Sequence, residues 1–347
     1  MITLPPARRQ VRQKRKSLFC FFKKIGFNYF YSFLASLCLG GSIFVPVVWA
    51  DQQGGQRPAA YLDYGGGGSQ VAMGGAAVGV RGDVASGFWN PAGLSGLRGF
   101  QVEAQDTLLA LDQKLYFLSL ATGFRDKFFV GASFFYFTAG EDLESRVGPS
   151  LAPDSLFNDE ELSFFTTFAV RLDPRWSAGV NIKLLFQTIG SFSGGAGSGF
   201  GEDLGIQYRF TKYTTFGFVA QNPYTIFSYG ASNQIFPVTL KAGMAQEDES
   251  ISAKANFDLE WSGDLGFRPR IGVEWRPAEV IALRGGFWVG NLTSGIAGGS
   301  PTVNPSFGVG LTAHMGDSLM ELSYNLLPDR IVSGSFLHQI SLMGKIL

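Results

Sequence analysis

From Phe100 onward the chain repeats one unit, a run of roughly ten residues with alternating polarity followed by a turn or loop, and that period of two confines it to β-strands. In SISAKANFDLEW, Ile251, Ala253, Ala255, Phe257, Leu259 and Trp261 fall on one face, while Ser252, Lys254, Asn256, Asp258 and Glu260 fall on the other. WSAGVNIKLLFQT behaves the same way, with Ala178, Val180, Ile182, Leu184 and Phe186 opposing Ser177, Gly179, Asn181, Lys183 and Gln187. The pattern predicts fourteen strands: 100–109, 113–123, 127–138, 159–172, 175–188, 200–210, 213–221, 235–246, 250–261, 268–276, 279–289, 305–315, 318–327 and 335–346. Tight turns (RDK, DPR, TKY, EDE, PAE, GDS) alternate with longer polar or glycine-rich connections (139–158, 189–199, 222–234, 290–304). An even strand count with short turns at one end and longer loops at the other is the pattern of a transmembrane antiparallel up-and-down β-barrel, its turns and both termini in the periplasm.

The first fifty residues lie outside that pattern. They carry eight of the 28 basic residues and none of the 28 acidic ones, then an apolar stretch to Trp49 that ends in Val48-Trp49-Ala50 before Asp51. This predicts a signal peptide over 1–50, cleaved after Ala50, and export to the outer membrane of a Gram-negative cell. The remainder has 20 basic against 28 acidic residues, a net charge of −8, which argues against a nucleic-acid partner. Cys20 and Cys38 both lie within the signal, so the mature chain is expected to lack disulfides and thiol chemistry. The most apolar later run, FFVGASFFYFTAG, is too short for a transmembrane helix. Trp176, Trp261, Trp275, Trp288, Tyr136 and Phe210 fall near predicted strand ends, where a barrel places its aromatic girdles.

If the apolar face meets lipid, then Lys183, Asp203, Arg209, Lys241, Lys254, Asp258, Glu260, Arg270, Glu274, Arg276 and Arg284 face the lumen, since a charge turned to lipid costs about 2–4 kcal/mol near the midplane. Mixed signs on successive strands fit either a paired network that rigidifies the interior or a hydrated path. Nothing points to an enzyme. His314 and His338 are the two histidines, no serine lies in a G-x-S-x-G elbow, and no cluster has metal-ligand spacing, so no catalytic residue, cofactor or metal is expected. GAGSGFG at 195–201 lacks the lysine of a phosphate loop and is read as an exposed loop; Arg81-Gly82-Asp83 lies in the segment before the barrel and is not read as an adhesion motif, and the sequon at Asn291 has no meaning in a bacterial export route.

Residues 51–64 read as a tail and residues 65–98 as a separate segment, ahead of a barrel over 99–347. The segment lacks a period of two and is built from small residues, suited to close backbone packing inside a barrel. Asn90 followed by Pro91 is a helix start, Asp83 can cap a turn before Val84 and Ala85, and Gly93 is expected to stop the second turn. The run MGGAAVGVRGDVASGFWNPAGL, with Asp83, Trp89, Asn90, Pro91 and Ala92, resembles the N-terminal signature of the PorV/PorQ-like outer-membrane proteins, a branch similar to the FadL-type hydrophobic-compound porins. GVEWRPAEVIALRGGFWVG and FGVGLTAHMGDSLMELSYNLLP are similar to that family's late strands, and the terminal Leu347 departs from the usual aromatic.

The resemblance implies a fourteen-stranded barrel whose lumen is plugged by a hatch, and a monomer inserted by the barrel-assembly machinery. It implies either a channel for hydrophobic or amphipathic small molecules or a scaffold or shuttle for secreted proteins in type IX secretion, with the acidic loop at 141–161 as the partner surface in the second case. It would also place a strand kink that opens toward lipid at Gly131.

Overall fold

Alternation alone leaves each strand's backbone groups unpaired, and only a closed ring satisfies all of them in lipid. The computed structural model, which describes residues 59–139, 143–145, 155–190, 195–229, 232–263, 266–290, 301–329 and 335–346, contains that ring. Its strands are β1 (Phe100–Leu108), β2 (Lys114–Phe124), β3 (Phe128–Thr138), β6 (Asp159–Arg171), β7 (Trp176–Ile189), β8 (Ala196–Arg209), β9 (Thr214–Tyr229), β11 (Thr239–Asp248), β12 (Ala253–Ser262), β13 (Gly266–Ala278), β14 (Ile281–Gly290), β15 (Thr302–Met315), β16 (Ser318–Pro328) and β17 (Phe336–Ile346). Each pairs antiparallel with its neighbours in the ring, and β1 closes it against β17 from Phe100↔Ile346 to Leu108↔His338. The short strands β4 (Leu143–Ser145) and β5 (Ser155–Phe157) form a separate hairpin, and β10 (Ser232–Ile235) extends β9 alone.

The fourteen predicted strands are the fourteen strands of the ring. The largest differences lie at Gly197, Gly199 and Gly201, which belong to β8 rather than to a loop, and in β9, which runs eight residues past its predicted end. Both extensions pair with each other: Gly197 to Gly201 lie opposite Tyr229 to Thr225. Inward Gly199 and Gly201 leave the space that the Phe227 ring and the Thr225 side chain occupy. Glycine here marks close packing rather than a turn. The expected signal peptide at 1–50, residues 51–58 of the tail, the sequon at Asn291 and Leu347 lie outside the described residues, as does most of the 141–161 loop.

Outward positions are apolar around the ring, among them Leu118, Phe134, Phe168, Leu184, Leu204, Phe218, Leu259, Val309, Leu322 and Leu342. Trp176, Trp261 and Trp275 are exposed on this face near strand ends. Trp288 is not in the girdle. It shares the inward face with Arg284 and is buried, with Arg268 and Arg270 lying 5.9 and 5.6 Å from its ring. A charge introduced on the lipid face measures this division. Leu184→Arg, in the middle of β7, is expected to lower stability by about 2–4 kcal/mol, and Leu172→Arg, in an exposed tight turn, by less than about 1 kcal/mol, in urea unfolding from lipid vesicles.

Candidate functional site

The interior is occupied by residues 59–97, which enter at the end of the long loops, cross the lumen and reach β1 at the end of the tight turns. A 3-10 turn, Ala60–Tyr64, leads to helix α1 (Gly68–Ala72), and helix α2 (Ser86–Trp89) leads to a second 3-10 turn, Pro91–Gly96. Helix α1 packs against β14, β15, β16 and β17, while the Pro91–Gly96 turn packs against β6, β7 and β8 on the other side. Small residues make this close approach feasible on both sides of the contact. The wall contributes inward glycines in cross-strand pairs, Gly179 with Gly205, Gly217 with Gly243 and Gly272 with Gly286. A side chain at Gly179 would strike the Pro91 backbone, at Gly217 the Val78 carbonyl and at Gly286 the Met73 backbone.

A backbone packed away from water must find partners for its amides. Side chains of the strands supply them. Asp258 accepts from the amides of Ala77 (2.6 Å) and Val78 (2.9 Å), Glu103 from Gly68 (2.7 Å), Gln105 from Gly67 (2.9 Å), Glu161 from Ala59 (2.8 Å) and Ser306 from Gly74 (2.9 Å). In return Asn181, Asn256 and Gln207 donate to the carbonyls of Gly87, Ala76 and Val80.

The motif residues sit at the centre of this packing. Asn90 caps the second 3-10 turn, its Oδ1 accepting from the Ala92 amide at 3.1 Å with Pro91 at the first position. Its Nδ2 donates to Val78 O (2.9 Å) and Ile206 O (3.3 Å), so one buried side chain ties two parts of the segment to β8. Asp83 Oδ1 accepts from the Ala85 amide at 2.9 Å, and Trp89 Nε1 donates to Gly66 O at 2.8 Å. Ala92 is buried, and no Cβ fits at Gly205 without meeting Asn90 and Pro91. Gly93 does not stop the turn, which continues to Gly96; its own missing Cβ makes room for the Val80 carbonyl and the Ser86 side chain. No bulge interrupts the strand at Gly131. The strand β3 pairs through it without a shift on both sides, opposite Ala121 and Thr167, and the missing Cβ accommodates Leu94, whose Cδ1 would lie 2.9 Å away.

The lumen wall has two characters. On β11 to β16 the charges form two ion-paired clusters. Glu260 joins Lys241 (3.2 Å), Arg270 (3.1 Å) and Arg268; Glu274 and Glu321 share Arg276 and Arg284, with Lys254 at 3.8 Å from Glu274. Lys183 pairs with Asp203 at 2.7 Å. Arg209 lies on the same inward register but at the exposed tight-turn rim, where it donates to Pro174 O at 2.7 Å. Arg268, Glu321, Glu103 and Glu161 belong to the same interior and are absent from the charges assigned to the lumen above, although each falls on the inward parity of its strand.

On β2, β3, β6, β7 and β9 the inward face carries a patch of buried apolar side chains, Leu115, Phe117, Phe135, Phe165, Leu185 and Phe227, set among inward polar ones such as Ser119, Ser133, Ser163 and Asn181. They meet the segment's aromatics, Phe88 lying 4.9 Å from Phe135 and 5.6 Å from Phe165, and Tyr61 stacked on Phe137 at 5.5 Å. The signal for this wall is present in FFVGASFFYFT and LYFLSLATGF, which are apolar on both faces. Where the apolar and charged walls meet above Trp89, a cavity of about 60 Å3 is left between Phe88, Phe165, Leu185, Lys183, Lys241 and Arg270. That is room for about two waters rather than a ligand. On the tight-turn side of the segment the lumen opens into a vestibule of about 860 Å3.

No protein-family model and no curated protein matches the chain. Solved structures do. The chain is similar to the toluene transporter TodX of Pseudomonas putida, with 17% identity and a TM-score of 0.56 over 81% of this chain and 97% of that one. It is similar to the monoaromatic hydrocarbon channel CymD, with 15% identity and a TM-score of 0.60 over 82% and 98%. A Pseudomonas aeruginosa FadL homologue matches at 11% identity and a TM-score of 0.56 over 80% and 97%. The fold is therefore that of the FadL-type channels, while the likeness to PorV/PorQ-like proteins rests on sequence alone, the motif around Asn90 and the two late-strand segments.

The segment's attachment can be measured through its amides. Asp258→Ala removes the acceptor of two of them, and hydrogen exchange at Ala77 and Val78 is expected to quicken at least about tenfold, with a smaller change in Asp258→Asn, which keeps one carbonyl acceptor.

Proposed function

We propose that this chain is an outer-membrane channel for hydrophobic or amphipathic small molecules, with residues 65–97 acting as a plug that must yield for passage. The observation that carries the reading is the apolar wall inside the barrel. The charged side of the interior is closed by ion pairs such as those around Glu260, whereas the opposite side is closed by the packing of aromatic rings against the plug. Phe117, Phe135, Phe165 and Phe227, covered by the plug, would present an apolar surface of the kind that lines sites for apolar ligands once the plug moves. The neighbours with the same fold are described as channels and transporters for toluene and other monoaromatic hydrocarbons, which supports the same class of cargo here. Export through a signal peptide and an orientation with the tight turns in the periplasm complete the reading.

The plug can be locked. A Cβ at Gly308 would lie 2.7 Å from the Cβ of Ala72, so cysteines at both positions are close enough to bridge α1 to β15 after a small shift. Gram-negative cells expressing the unmodified chain are expected to accumulate labelled toluene faster than cells with an empty vector. Cells expressing the Ala72→Cys, Gly308→Cys form are expected to lose that gain when oxidised and regain it on reduction. Equal accumulation with and without the chain overturns the channel; equal accumulation by bridged and reduced forms overturns the moving plug.

A further inference from the structure

Within the barrel, Lys183, Lys241, Arg268, Arg270, Arg276 and Arg284 are each ion-paired to a carboxylate. Three arginines at the tight-turn end break that rule. Arg81 comes from the segment, Arg171 from the last residue of β6 and Arg209 from the last residue of β8, and among the described residues none of them is in an ion pair. Two of them meet at one acceptor, and Arg209 lines the same vestibule. Arg81 Nη2 and Arg171 Nη2 both donate to the carbonyl of Ser95, at 3.3 and 2.6 Å. Burial and the positive charges of Arg171 and Arg209 hold the Arg81 guanidinium down to about 10, which is how neighbouring like charges without a counter-ion behave. Arg81 Nη1 and Arg171 Nε are buried with no acceptor.

The local carboxylates are committed elsewhere. Asp83 is turned to the Ala85 amide, and Asp173 accepts from the amides of Arg175 and Trp176. The three arginines line the vestibule of about 860 Å3, whose wall carries eight basic against five acidic residues. That volume is in the range that holds a small organic ligand. Guanidinium groups from separate chain segments, without a carboxylate partner among the described residues, match the two oxygens of a carboxylate. Val80, Leu97 and Met73 line the same space and supply an apolar flank.

We propose that Arg81, Arg171 and Arg209 form a binding site for the carboxylate of a small organic acid in the vestibule below the plug. The site rests on the channel reading only for the origin of its ligand, as the exit station of an amphipathic acid; binding itself is independent of transport. The shared chemistry, an oxyanion, is also that of inorganic phosphate, and the two are told apart by titration.

Benzoate, inorganic phosphate and benzyl alcohol are titrated calorimetrically into the full-length protein in a non-ionic detergent. Benzoate is expected to bind saturably and benzyl alcohol much more weakly. Arg81→Gln and Arg171→Gln are each expected to weaken benzoate at least about tenfold, as loss of a charge-assisted hydrogen bond does. Arg209→Gln, at an exposed rim position, is expected to weaken it in the same direction and keeps the test open if a buried variant fails to fold. Phosphate binding in place of benzoate, no saturable benzoate binding, or benzoate binding unchanged in Arg209→Gln and the folded variants overturns the site. Because no step depends on uptake, failure here and failure of the channel are separate results.

Discussion

Closure of the ring between β1 and β17 governs everything else in this molecule. A sheet in lipid cannot keep an edge, so fourteen strands must find partners on both sides, and the side chains are then divided strictly between lipid and lumen. A lumen of this girth cannot be filled by strand side chains alone. A further stretch of backbone, residues 59–97, occupies it, and that creates a second demand of the same kind, since its amides and carbonyls are also removed from water. Asp258, Glu103, Gln105 and Glu161 answer the amides with side chains because no strand edge remains to do so. Their acidity and polarity follow from that duty. In the same way, the strand glycines at 179, 217 and 286 exist where backbone meets backbone, with no layer of side chains between.

The two walls of the lumen divide the segment's attachments by strength. Around α1 the contacts are hydrogen bonds to the carboxyl and amide side chains of the strands. Around α2 they are neutral hydrogen bonds, such as Asn181 to Gly87 O, and aromatic contacts of Phe88 with Phe135 and Phe165. An apolar cargo can replace aromatic contacts with its own but cannot replace a carboxylate that holds an amide. On the channel reading, the weaker and exchangeable side of the plug is therefore the one that faces the apolar wall.

Much of this architecture is legible in the sequence because lipid and water sort side chains with a period of two. SISAKANFDLEW and WSAGVNIKLLFQT state their faces directly, and the charges from Lys183 to Arg284 fall on the inward register. The method fails where its assumption fails, that apolar means lipid. Phe117, Phe135 and Phe165 are as apolar as their outward neighbours, so alternation is silent about them, and Trp288 is drawn to the wrong side because an aromatic near a strand end has two possible duties. Glycine is the other ambiguity. Gly93, Gly131, Gly199 and Gly201 carry the residue type of stops, kinks and loops, yet each serves close approach. Sequence shows that a side chain is missing, and only the packing shows what takes its place.

Asn90 illustrates how local and long-range demands meet in one side chain. Its cap on the Pro91–Gly96 turn needs only Oδ1, and that half of its role follows from the Asn-Pro spacing. The other half, Nδ2 bridging Val78 O and Ile206 O, depends on residues 12 and 116 positions away and has no local signature. An aspartate would cap as well and could not donate; a serine would cap and could not reach both carbonyls. The two duties together select asparagine. They also place the rigid centre of the segment against the inward glycine of β8, so that Trp89 and Phe88 on one side and the arginine-lined vestibule on the other are fixed relative to the same buried amide.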